Sequence, residues 1–180
     1  MPNVFVYGTL RKGERNHHYL DGASCIFQQC WTYGALYDTN SDYPVIKESA
    51  KEKVFGELYK ISESNLTIID RLEGYVDGDS DNLYNRKNVP VFDDRGKEHK
   101  GIIYTAGNSL SNSTKKIPSG DWSVHNYLKR DSLLYFAYGS CMDNERFQKA
   151  GVEQYFRKEY WMGLRFNFPE VRKTAGKQIL

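Results

Sequence analysis

The sequence predicts an α+β domain or mixed barrel in residues 1–130, followed by an incomplete second copy in residues 131–180. Three observations carry this. Short apolar and aromatic runs read as about six strands, with two helical stretches among them. Loops and turns, rather than helices, separate most of these strands, which argues against a doubly wound parallel sheet. Finally, Phe136-Ala137-Tyr138-Gly139-Ser140 echoes Phe5-Val6-Tyr7-Gly8-Thr9, each copy ending an apolar strand at the start of a candidate domain.

The first strand spans 4–7 and runs into Gly8, a residue suited to a tight turn. A strand end followed by Gly8-Thr9 offers backbone N–H groups to a small anion such as a carboxylate. His17 and His18 are adjacent and lack a spaced ligand partner, so a loop or short helix is expected there and no metal site. Residues 27–37 read as one strand. Pro44 then biases Tyr43 towards an extended conformation ahead of Val45 and Ile46.

A strand over 54–61 feeds a helix that begins at Ser62 to Asn65, where side-chain oxygens can accept from first-turn N–H groups. Gly74 is placed to end it, because glycine tolerates positive φ. At about 100° per residue, Leu66, Ile69 and Glu73 fall on one face. Glu73 therefore points with the apolar residues, towards protein. Burial and the partial negative charge of the last helical turn both disfavour its ionised form. A carboxyl so placed can take up and return a proton near neutral pH. The alternative is a Glu73 paired with a nearby Lys or Arg.

Residues 76–82 are rich in Asp and Gly and read as a mobile loop. A strand over 87–92, a hairpin turn at 93–96 and a returning strand over 101–105 follow. A polar loop over 108–114 leads through Ser119-Gly120-Asp121-Trp122 to a short helix over 123–130. The second copy has a helical stretch at 143–150 and an aromatic run at 155–168, but no equivalent of Glu73. It is either truncated or a remnant.

Of 180 residues, 39% are apolar and 27% charged, which suits a globular protein. A net charge of +2 with dispersed basic residues makes no case for nucleic acid. No run approaches a membrane span, and the N-terminal residues lack the pattern of a signal peptide. Cys25, Cys30 and Cys141 are expected as thiols in a reducing cytoplasm.

Four stretches in order, Val6-Tyr7-Gly8-Thr9-Leu10, Asp70-x-x-Glu73-Gly74, Leu83-Tyr84-x-Arg86 and Ser119-Gly120-Asp121-Trp122, resemble the gamma-glutamylcyclotransferase-like family, especially its gamma-glutamylamine cyclotransferase branch. The second copy resembles the Phe-Ala-Tyr-Gly-Ser form of other members of that superfamily. The resemblance implies a small mixed β-barrel with flanking helices. It also implies conversion of a small gamma-glutamyl amide or amine to 5-oxoproline and free amine, without cofactor or metal. By the same resemblance Glu73 is the general base and then acid. Gly8, Thr9 and Leu10 bind the glutamyl α-carboxylate, Tyr7 lines the pocket, and Tyr43, Arg86 and Tyr104 stand at its rim. For Tyr43 and Tyr104 the alternative is ordinary strand packing. For Arg86 it is an ion pair that shapes the loop of Glu73. The competing function is a non-catalytic module of the same fold that holds a small carboxylate. Oligomeric state is left open.

Overall fold

The computed structural model describes residues 1–110 and 115–130. The expected second copy, with its stretches 143–150 and 155–168 and Cys141, lies outside them.

Strand β1 (Asn3–Val6) is followed by a loop and a 3-10 turn at His17–Leu20. Then come β2 (Ser24–Tyr33), β3 (Ala35–Asp38), β4 (Pro44–Lys47) and β5 (Lys53–Lys60). Helix α1 (Glu63–Leu72) leads to the hairpin β6 (Tyr84–Asp93) and β7 (Glu98–Ala106), then β8 (Lys115–Lys116) and α2 (Trp122–Leu128). The strands β1-β5-β2-β6-β7 close into a barrel, β1 meeting β5 antiparallel and β7 parallel. A smaller sheet in the order β4-β3-β8 stands beside it. The expected mixed barrel with flanking helices is thus observed in the described residues.

Alternation along β1 sorts its side chains between two cores. Phe5 joins Cys30, Val54, Leu58, Val91 and Ile103, drawn from all five barrel strands, and these fill the interior. Val4 and Val6 face the other way and pack with Leu66 and Ile69 of α1. The helix therefore sits against the outside of the barrel, beside the point where β1 ends.

The stretch expected as one strand over 27–37 is two. The break falls at Gly34, where a Cβ would stand 2.7 Å from the Ile46 Cγ2 methyl. Close packing of β4 there passes the chain from the barrel to the small sheet. Residues 76–82, read from composition as mobile, are fastened by the buried side chain of Asn82. Its oxygen accepts from Val76 N at 2.7 Å, and its amide donates to the Val76 and Asp79 carbonyls, both at 2.9 Å. Among the described residues no helix is long and apolar enough to cross a membrane. Cys25 is exposed and Cys30 buried, neither in a disulfide.

Candidate active site

Glu73 is placed by the way α1 ends. Ser62 caps the start, its hydroxyl accepting from Asn65 N at 3.1 Å. At the other end Gly74 adopts φ 62°, so that Gly74 N reaches the Arg71 carbonyl and Tyr75 N the Asp70 carbonyl. This paired closure satisfies the last free carbonyls of the helix. It leaves Glu73 as the capping residue, on the side of the buried Leu66 and Ile69.

Its carboxyl borders a cavity of about 210 Å³. The turn after β1 borders the same cavity, and Arg15, Asn16, Tyr43, Tyr84 and Tyr104 add polar side chains to its lining. Glu73 is half-buried, and its carboxyl makes no hydrogen bond or ion pair with another described residue. Burial raises its pKa from 4.5 to about 7. The carboxyl can therefore exist in both protonation states at physiological pH, which the helical phase anticipated.

The turn has its own constraints. A Cβ on Gly8 would lie 2.8 Å from Pro44 Cγ, so β4 and the turn approach only because residue 8 is glycine. Thr9 is tied back by Asn16, whose backbone N–H reaches the Thr9 carbonyl at 2.9 Å and whose side-chain amide reaches Thr9 Oγ1 at 3.0 Å. The backbone N–H groups of Gly8, Thr9 and Leu10 donate to no described residue. Three unpaired amides on one short turn can donate together to a small anion such as a carboxylate.

The phenols differ in what they are free to do. Tyr7 donates to the Tyr104 carbonyl at 2.8 Å, and Tyr84 to the Pro44 carbonyl at 3.0 Å. Burial raises the pKa of Tyr7, and the Glu73 charge raises it further. Burial likewise raises that of Tyr84, with the neighbouring Tyr7 and Glu73 adding to it. Both stay neutral and serve as fixed walls. Tyr43 is half-buried, and its hydroxyl bonds to no described residue, so it is available to a ligand.

Tyr104 borders the cavity, but its hydroxyl donates to Asp70 Oδ1 at 2.6 Å. The other oxygen of Asp70 receives Arg86 Nη1 at 2.6 Å, and the guanidinium lies 4.6 Å from the Tyr75 ring centroid. Arg86 is not among the cavity residues. It braces the turn that carries Glu73. Tyr7, Gly8, Thr9, Leu10, Tyr43, Glu73 and Tyr104 are brought together; Arg86 stands behind them.

Two contributors escaped notice in the sequence. Tyr84 was visible only as part of a motif, and its role depends on Pro44. Arg15 lies in a polar loop with no distinguishing neighbour pattern, yet it borders the same cavity.

Residues 4–124 match the family model of gamma-glutamyl cyclotransferase, AIG2-like. The chain belongs to that family. Among its relatives, YkqA of Bacillus subtilis is 39% identical over 157 residues, covering 86% of this chain and 53% of YkqA. The crystal structure of YkqA superposes with a TM-score of 0.65 at 38% identity, over 87% of this chain and 53% of that one. The gamma-L-glutamyl-butirosin B gamma-glutamyl cyclotransferase of Niallia circulans is 42% identical over 106 residues, 58% of this chain and 66% of its own. This member of the family thus spans about half the length of YkqA.

Proposed function

We propose that residues 1–130 form a gamma-glutamylcyclotransferase that acts in the cytoplasm on a small gamma-glutamyl amide or amine. The observation that carries this is the Glu73 carboxyl, with a pKa of about 7, opening on the same cavity as the unpaired amides of Gly8, Thr9 and Leu10. Those amides hold the glutamyl α-carboxylate, and Tyr7 and Tyr43 border the held group.

Ionised Glu73 takes a proton from the substrate α-ammonium. The freed nitrogen attacks the γ-carbonyl carbon, closing a five-membered ring. As the bond from that carbon to the leaving nitrogen breaks, Glu73 returns the proton to that nitrogen. The ring nitrogen gives up its remaining extra proton to the departing amine, so the products are 5-oxoproline and a free amine or amino acid in its ammonium form. Because the attack is intramolecular, holding one conformer supplies much of the rate. A single carboxyl near neutral pKa serves both proton transfers.

The test is release of 5-oxoproline from a panel of gamma-glutamyl compounds. Glu73→Gln should lower the rate about a hundredfold or more. Wild-type rates in that variant would remove Glu73 from the mechanism. Ligand-dependent thermal stabilisation without turnover in the wild type would instead favour the binding module.

A further inference from the structure

Arg15 has no place in the mechanism above, although it and Glu73 are the charged side chains on the cavity. Its backbone is fixed. The Arg15 carbonyl meets His18 Nδ1 at 3.1 Å, and the next residue is bonded twice to Thr9. Its side chain, by contrast, makes no ion pair or hydrogen bond with any described residue. Arg11 and Arg86 behave differently: each is held by a carboxylate at 2.7 Å or closer. Arg15 is exposed and still borders the cavity, so it stands where the cavity meets solvent, with its guanidinium free to reach a ligand there.

An uncommitted guanidinium at a cavity mouth is a receptor for a carboxylate, which it can meet through two parallel hydrogen bonds. The glutamyl head already has its receptor in the Gly8-Thr9-Leu10 amides. Its α-ammonium and α-carboxylate also balance in charge. A second anion receptor therefore has work only if the substrate carries a second anion, and in a gamma-glutamyl compound that anion lies on the leaving group. Resting on the cyclotransferase reading, we propose that Arg15 binds a carboxylate on the leaving group. It makes gamma-glutamyl amino acids preferred over gamma-glutamyl alkylamides. In this protein Arg15 is a specificity residue and takes no part in proton transfer.

Gamma-glutamyl-alanine and gamma-glutamyl-ethylamide differ by just that carboxylate, so they form the test pair. With the full chain, kcat/KM for the alanine compound should exceed that for the ethylamide by about tenfold or more. The ratio should shrink as salt is added, because an exposed pair is screened. Arg15→Gln should collapse the ratio to about unity, and Arg15→Lys should restore part of it. Thermal melting of each variant separates lost recognition from lost folding, and the wild-type ratio with its salt dependence stands without any variant. A wild-type ratio near unity, or a ratio unchanged in Arg15→Gln, overturns the proposal. An equal loss on both compounds assigns Arg15 to the glutamyl carboxylate and also overturns it. Release of 5-oxoproline from neither compound or any other member of the panel brings down the cyclotransferase reading itself, which turnover without preference leaves standing.

Discussion

Replacing Glu73 by glutamine should stabilise the protein at alkaline pH while it slows turnover. In the folded chain burial raises the pKa of Glu73 from 4.5 to about 7. Below pH 4.5 the group is protonated in both folded and unfolded states, and contributes no pH dependence. Between 4.5 and 7 the unfolded chain releases the proton and the folded chain keeps it. The folded state then binds more protons, so stability falls as pH rises. Above pH 7 the fall levels off, with ~3 kcal/mol lost at about 1.4 kcal/mol per pH unit. Glutamine resembles the protonated acid in shape and cannot ionise. Glu73→Gln should therefore match the wild type near pH 4 and exceed it by ~3 kcal/mol at pH 8. Urea unfolding at the two pH values measures this directly. A difference between variant and wild type that is the same at both pH values would refute the burial argument. So would a glutamine variant that is the less stable one at pH 8.

Other substitutions probe the walls of the site. Gly8→Ala places a methyl against the Pro44 ring, which cannot rotate away, and should cost about 1–3 kcal/mol and raise KM. Thermal melts and 5-oxoproline kinetics read both. Asp70→Asn removes the charge facing Arg86 and should cost about 2 kcal/mol while lowering kcat. In a double-mutant cycle with Arg86→Gln the two losses should be less than additive. Glu57 accepts from Tyr59 Oη at 2.9 Å and Lys12 N at 3.0 Å, and faces Arg11 Nε at 3.5 Å, all beneath the turn. Glu57→Ala should cost about 3 kcal/mol or more by stranding these groups, as chemical denaturation would show.

Glu73 was legible because the signals that place it are local. Ser62 starts the helix, Gly74 stops it, and helical phase between them leaves no choice of face. The turn at Gly8 was legible for the same reason. The break at Gly34 was not, because its cause is a methyl of Ile46 contributed by another strand. Arg86 posed a different difficulty. A long cation beside an acidic helix end can face a ligand or a carboxylate, and the choice of Asp70 is made by how β6 lies against α1. Arg15 was missed because its distinction lies in lacking a partner, which no spacing records. The order in residues 76–82 was hidden by composition, since one buried Asn82 organises an otherwise ordinary polar loop.

The closure of the barrel sets the order in which the site can come into being. β1 joins β7 where Val4 faces Ile102 and where the Tyr7 hydroxyl reaches the Tyr104 carbonyl. That parallel seam joins parts of the chain far apart in sequence, and such contacts are slow to form because a long loop must close first. The hairpin β6–β7 and helix α1 can assemble from near neighbours. The Tyr7 and Tyr104 walls of the cavity cannot meet until the seam is made. Completion of the cavity is then a late event of folding, and each transient opening of the seam parts the Tyr7 and Tyr104 walls while β1 stays paired with β5.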